Sequence, residues 1–361
     1  MLLINNEEVE QLLDMKTCLE ALEIGYQDLV KGDAVYRPRV DLWSPCERPD
    51  GYHRWGTMEG SSRTFGTFAI RMKSDIVCWP DGKTEEKYCI EPGTYCGLIF
   101  VFSIRDGRPL AILNDGILQH MRVGGCAGLG VKYLSRADSA VVGMIGSGGM
   151  ARTYLMAFHE VRKIERVNVY SPTRKNRETF AHEMSERLQI PVEAVESAQI
   201  AVRDADIVAT CTDSVETVLE EPDWIREGTH ITCVRANEVG PRVVERCDLL
   251  IMLGRQTMPL CDEGMVKIHG NVGYIAGQPE EMARIHQTKV DNYSVKRTLL
   301  KDIQAGKTPG RTNPAQVTFF INAGTQGLQF ASVAGRVYQL AKEKGIGREL
   351  PTEWFLQNIR D

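Results

Sequence analysis

Residues 139–161 read SAVVGMIGSGGMARTYLMAFHEV, and this stretch decides the fold. Residues 139–145 are a short apolar run of strand length, and from Ala151 onward apolar residues return at helical spacing. Between them stands Gly146-Ser147-Gly148-Gly149-Met150-Ala151, a G-x-G-x-x-A turn. Such a turn, entered from a strand and left by a helix, is the context of a dinucleotide-binding site. Gly146 permits the tight turn, Gly148 lets the backbone approach a pyrophosphate, and Ala151 lets the helix pack closely on the strand. The helix N-terminus offers N–H groups and partial positive charge to phosphates.

Downstream the alternation continues. Strand RVNVYS (166–171) is followed by helix KNRETFAHEMSERL (175–188), short strand PVEAV (191–195), a helix, and strands DIVATCT (206–212), HITCVRA (230–236) and DLLIML (248–253). Alternating strands and helices predict a doubly wound parallel sheet, here over residues 137–310. Upstream the pattern differs. Residues 7–31 carry leucines at helical spacing and end at Gly32; 36–43 (YRPRVDLW) read as a strand, and the Pro/Gly/Ser-rich 44–64 as a loop. A long strand is expected over 65–79, an irregular charged excursion over 80–93, and a hairpin over 94–115 around Arg105-Asp106-Gly107. Residues 117–136 form a glycine-rich helix suited to close packing. After about residue 310 come a short strand and a long helix ended at Gly345, expected to pack back on the first part. The division is therefore 1–136 plus 311–361 around an inserted 137–310.

The 361 residues fit two domains at roughly 100–200 residues each. A net charge of −5 argues against nucleic acid as a main partner. The N-terminal segment has no basic region followed by a long apolar run, and is expected not to be a secretory signal; no apolar stretch is long enough to span a membrane. None of the ten cysteines forms a C-x-x-C pair, which suits buried thiols in a reducing cytoplasm. The seven histidines show no metal-binding spacing, so no metal site is expected.

Several residues carry candidate chemistry. At the end of strand 166–171, an NAD site would place an acid on the ribose hydroxyls. Here stand Ser171, Thr173, Arg174 and Lys175, which suit a 2′-phosphate and favour NADP(H), with NAD(H) possible. Arg71 and Lys73 alternate onto one strand face. Two cations there suit a carboxylate or an imine; a solvated polar face is the alternative. Arg39 stands alone in YRPRV. Arg122 sits on an apolar helix and needs a partner: a carboxylate or phosphate of a ligand, or an internal Asp or Glu. Arg235 and Asn237 follow the apolar run HITCV (230–234), where loops face the cofactor crevice of a parallel sheet.

In this order, GRPLAIL, MRVGGCAGLGVKYLSR, VGMIGSGGMA, DADIVATCT, GTHITCVRAN and VTFFINAGTQGLQF resemble the ornithine cyclodeaminase/mu-crystallin family over nearly the whole chain. The resemblance implies a Rossmann doubly wound parallel sheet inserted in an α+β substrate and dimerisation domain. It also implies a homodimer, and chemistry through an imine of a small amino acid or imino acid. By that resemblance Arg39 and Arg122 bind substrate carboxylate, and the family lysine falls at Arg71 or at Lys73. Lys73 alone could act as an acid, because a guanidinium stays protonated. Thr94, Gly149, Met150, Ser171, Thr212 and Asn322 match cofactor-contacting positions, Arg122 also lies toward the cofactor, and Glu59 matches a site for a distal amine. Asn237 replaces the acid–base aspartate of the cyclodeaminases, and an amide cannot exchange a proton at useful pH. The expected activity is an NADPH-preferring reductase of imines, or an amino acid dehydrogenase. A redox-neutral cyclodeaminase and a non-catalytic NADPH-binding protein are the alternatives.

Overall fold

The computed structural model describes residues 1–80, 82, 84–255, 260, 264–268, 271–286 and 297–359. Two sheets organise the chain. The first has eight strands, all parallel, in the order Val192–Ala194, Arg166–Tyr170, Val141–Ile145, Ile207–Thr210, His230–Cys233, Thr318–Ile321, Leu249–Met252 and Arg297–Leu299. This is the Rossmann doubly wound sheet expected from the alternation. Its inner strands are buried along their length, as befits strands covered on both faces. Strand order reverses at Val141–Ile145, so the crevice at its carboxyl end is the switch point where ligands bind.

One strand of this sheet comes from beyond residue 310. The sequence pattern sends Thr318–Ile321 back to the first part of the chain; it pairs instead between His230–Cys233 and Leu249–Met252. Its four residues are all buried, so the strand needs cover on both faces. The chain then crosses between layers at 322–325, where Thr325 is left-handed (φ 59°), and helix Gln326–Lys344 packs on the other sheet.

The second sheet runs Met265–Ile268, Asn271–Ile275, Val40–Pro45, Gly51–Ser62, Thr67–Cys78, Cys96–Ser103, Pro109–Asn114, Leu2–Ile4 and Arg348–Glu349, with Ala34–Tyr36 and Glu86–Tyr88 attached at its sides. It differs from expectation twice. Residues 51–62, which read as a loop, form a twelve-residue strand paired along its whole length with Thr67–Cys78. The glycines mark close approach: a Cβ on Gly60 would lie 2.5 Å from the backbone of Gly327 and Leu328. Met265–Ile268 and Asn271–Ile275 also leave the nucleotide-binding layer, and the latter pairs in parallel with Val40–Pro45.

Helix Gly116–Leu134 joins the layers, and its glycines serve packing within one chain. A Cβ on Gly124 would meet Thr153 backbone of helix Gly149–Val161 at 2.5 Å. The nine described cysteines are free thiols, six of them buried; Cys261 lies outside the described residues. No helix among the described residues is long and apolar enough to cross a membrane.

Candidate active site

Strand Thr67–Cys78 alternates as far as Val77, and its inward face carries Arg71, Lys73 and Asp75. All three are buried. Lys73 lies opposite Gly56 on one neighbouring strand and Gly97 on the other, and Gly56 lies opposite Asp41. The glycines make room for acids. A Cβ on Gly56 would stand 2.4 Å from Asp41 Oδ1, and one on Gly97 would stand 2.2 Å from the Asp115 carboxyl group. Asp115 is fixed beyond Gly97 by its own N–H, which donates to the Gly97 carbonyl at 3.1 Å. One row across the sheet thus presents a lysine between two carboxylates, each set where a glycine lacks a side chain.

Each acid has a cation. Arg39 Nε donates to Asp41 Oδ1 at 2.6 Å, and Arg71 Nε to Asp115 Oδ2 at 2.6 Å. Lys73 Nζ and Arg54 Nη2 share Asp75 Oδ2, Arg54 at 2.9 Å. Arg122 has neutral partners only among the described residues. It donates to the side-chain carbonyls of Gln119 and Gln329, both at 2.7 Å, and lies over the Phe330 ring, which Arg71 also approaches. Burial pushes Arg122 down to about 10. Burial, reinforced by Arg54 and Arg39, holds the Lys73 ammonium well below the usual lysine range. Lys73 and Arg54 hold Asp75 low against the opposing effect of burial.

Of the expected substrate residues, the structure brings Arg39, Arg71, Lys73 and Arg122 together. Glu59 lies on the opposite face of its strand, where Arg37 Nε donates to it at 2.9 Å. Arg54 belongs to the group, and sequence reasoning missed it because its segment reads as a loop.

The dinucleotide turn fits its ligand. Gly146 has φ 107°, and a Cβ there would strike the Cys211 carbonyl at 2.3 Å. Gly148 faces open space, helix Gly149–Val161 begins without a side-chain cap, and Ala151 is fully buried against the strand. Met150 is half-buried beside it. These are the features a diphosphate needs: backbone access and an unblocked helix N-terminus. Ser171 Oγ meets Ser147 Oγ at 2.9 Å, which places the strand end against the turn. Arg177, missed in the sequence, donates to the Ser171 carbonyl at 3.0 Å and to Glu196 at 2.7 Å. Thr173 is exposed, as are Lys175 and Arg174, whose Nε donates to Glu178 at 2.6 Å.

At the carboxyl ends of the parallel strands, Glu238 is the hub. Fully buried, it accepts from Thr212 N and Oγ1 at 2.6 Å, Arg235 N at 2.9 Å, Val234 N at 3.1 Å and Thr210 Oγ1 at 3.2 Å. It knits two crevice loops together, and no sequence pattern announces it. Asn237 Nδ2 donates to the Val215 carbonyl at 3.2 Å. Asn322 Nδ2 donates to the Val123 carbonyl and Tyr154 Oη, both at 2.8 Å, tying the strand end to the two helices. Thr94 sits in an exposed turn.

The two layers meet across this crevice. Thr84 of the excursion bridges to Ser214, and Glu85 lies between Lys87 and Arg235. His120, two residues before Arg122 on the joining helix, comes within 3.1 Å of the position a Gly149 Cβ would take.

Comparison with known proteins settles the family. The model of the ornithine cyclodeaminase/mu-crystallin family matches residues 1–345. The chain belongs to that family. It is 26% identical to a Delta(1)-pyrroline-2-carboxylate reductase of Bacillus cereus, covering 97% of this chain and 99% of the relative. It is 24% identical to the iminosuccinate reductase of Paracoccus denitrificans, over 97% and 99%. Among solved structures, the Thermococcus litoralis Delta(1)-pyrroline-2-carboxylate reductase in complex with NADH and L-proline superposes with a TM-score of 0.76 at 28% identity, over 97% and 100%. Family membership and the charged site together identify the chain as an enzyme, an NAD(P)-dependent oxidoreductase acting at C=N or CH–NH bonds.

Proposed function

We propose that the protein is an NADPH-preferring reductase of imines derived from 2-oxo acids, cyclic or formed with an amine, or runs the reverse as an amino acid dehydrogenase. The observation that carries this reading is the buried Lys73 amine between Gly56 and Gly97, ringed by arginines. The nicotinamide supplies or takes up hydride when bound. Arg122, whose present partners are neutral amides, takes the substrate carboxylate with Arg71; a carboxylate displaces an amide because charge-assisted bonds are the stronger. Lys73 Nζ donates its proton to the imine nitrogen and takes it back in the reverse direction. Its lowered affinity for that proton matches the task. Asn237, with no proton to exchange, favours net reduction over the redox-neutral cycle.

The NADPH preference rests on Ser171, which puts no carboxylate at the ribose. The Thermococcus enzyme was solved with NADH. Here Arg174 is 75% exposed and its pair with Glu178 is a surface i,i+4 contact, which costs little to exchange for a 2′-phosphate. A homodimer accounts for the outer face of the large sheet, where Leu42 and Leu98 are exposed beside half-buried Phe68, Phe100 and Phe102. The free thiols suit the cytoplasm.

The test follows nicotinamide absorbance with a panel of cyclic imino acids, and of 2-oxo acids mixed with amines. Substrate-dependent loss of reduced cofactor is expected, with kcat/KM for NADPH about tenfold above NADH and that ratio near one in Arg174→Ala. Ammonia release from ornithine without net cofactor change would make the protein a cyclodeaminase. Cofactor binding without either reaction would make it a binding protein.

A further inference from the structure

Helices Gly116–Leu134 and Gly149–Val161 pack along one seam. His120, Gly124 and Gly128 of the first face Gly149, Thr153 and Ala157 of the second. Residues four apart share one face of a helix, so the two rows run in register. A Cβ on Gly124 would stand 2.5 Å from the Thr153 backbone, and one on Gly128 would stand 2.9 Å from the Ala157 Cβ. The seam therefore selects small residues on the joining helix. His120 breaks that rule at the end that opens on the dinucleotide turn. Its partner there is Gly149, the first residue of its helix, and His120 Nε2 lies 3.1 Å from where a Gly149 Cβ would stand. Where one helix carries the bulky member, the other gives up its side chain.

The imidazole thus reaches from the substrate layer to the place prepared for a diphosphate. Helix Gly149–Val161 has 13 residues and begins without a side-chain cap, so its positive end is offered to an anion. Burial pushes the His120 affinity for a proton below the usual histidine range; Asp115 opposes that shift, Arg122 adds to it, and the Gly116 carbonyl one turn back opposes it. Among the described residues no other charge bears on the ring. In the helices packed against its own, Arg152 turns to Glu183, Glu23 to Lys132 and Glu8 to the Asn5 N–H. By itself the ring is therefore neutral at physiological pH. A doubly negative diphosphate beside it reverses that balance, because a nearby opposite charge favours the charged form.

We propose that His120 is a ligand of the cofactor diphosphate: its ring takes a proton from solvent as the dinucleotide binds and donates Nε2–H to a phosphate oxygen. The complex then holds this proton to a higher pH than the free protein does, so cofactor affinity rises as pH falls between those two points. This role needs only the nicotinamide dinucleotide of the family and stands whatever the substrate. The sequence marks Gly149 and Arg122 but not His120, because the seam joins two helices whose pairing no local pattern records.

The test is equilibrium binding of NADH, followed by nicotinamide fluorescence from pH 6 to pH 8. NADH is the probe because it lacks the 2′-phosphate, whose own titration near pH 6 would imitate the effect. The wild-type Kd is expected to be about tenfold lower at pH 6 than at pH 8. Calorimetry near pH 7 in buffers of different ionisation enthalpy should show about half a proton or more taken up per NADH bound. His120→Gln, whose amide donates but does not titrate, should hold Kd within about twofold across the range and take up no proton. A wild-type Kd that is flat with pH, without proton uptake, overturns the proposal and needs no variant to fold. A pH dependence that persists undiminished in His120→Gln belongs to another group, Lys73 first among them, and overturns it as well.

Discussion

The two sheets solve opposite problems with the same backbone. The parallel sheet buries nearly every side chain of its inner strands and keeps its one buried histidine, His230, neutral: burial, then Arg311 and Arg162, push it down to about 3. The large sheet does the reverse on its inward face, packing arginine, lysine and aspartate into one row. Apolar strands need only fill space, so their order can be read as a scaffold for the glycine turn. A buried charged row costs stability unless each member is paired, and such rows persist where chemistry uses them. On the proposed function, the difference gives support to one sheet and reaction to the other.

Lys73→Met attacks that assignment most strongly. If Lys73 serves chemistry, turnover should fall about 10³-fold with NADPH affinity unchanged, since a positioned acid contributes on this scale. Stability should hold or rise, because an apolar side chain of similar length replaces a buried amine while Arg54 still answers Asp75. Retained turnover with a lowered melting point would make the row structural and erase the contrast between the sheets.

His230 tests the other side. The unfolded chain takes up a proton below about pH 6.5, whereas the folded one waits until about pH 3. Stability is therefore full above pH 6.5 and declines as pH falls toward 3, by an amount on the order of 5 kcal/mol. His230→Gln should flatten that part of the urea-midpoint profile between pH 7 and 4 relative to wild type. An unchanged slope would place the acid sensitivity of the protein outside the parallel sheet.

What the sequence discloses divides along the same line. Apolar runs beside a G-x-G-x-x-A turn are local signals, so Val141–Ile145 and its neighbours are legible. Thr318–Ile321 reads as a strand, but its sheet depends on pairing with His230, 88 residues away, which no local pattern records. Gly51–Ser62 is hidden because its glycines imitate a loop; they are there for Asp41 and for the helix backbone at Gly327. Misreading that strand hides Arg54 and leaves the face of Glu59 unknown, although alternation from Arg54 would put Glu59 outward. Lys73, Arg71, Arg39 and Arg122 can be named one by one. Their meeting, and the bracing of the crevice loops by Glu238, are facts of register and folding rather than of spacing.

The finest test concerns the glycines, since they separate a charged row that is built from one that is incidental. A Cβ at position 97 would displace the Asp115 carboxyl group and strip Arg71 of its partner. Gly97→Ala should cost about 1–3 kcal/mol in denaturant unfolding, the usual penalty for overpacking or for a buried group left unpaired. Asp115→Asn should cost a similar amount, because Arg71 is again left with a neutral partner. The informative quantity is the double variant. If Gly97 is glycine because Asp115 needs the space, the asparagine still crowds the new methyl group, and combining Gly97→Ala with Asp115→Ala relieves it. That pair should then cost no more than Asp115→Ala alone, an interaction energy that residues in direct contact commonly show. Strictly additive costs would mean that the glycine answers to something else, and that the lysine's flanking acids are neighbours by accident.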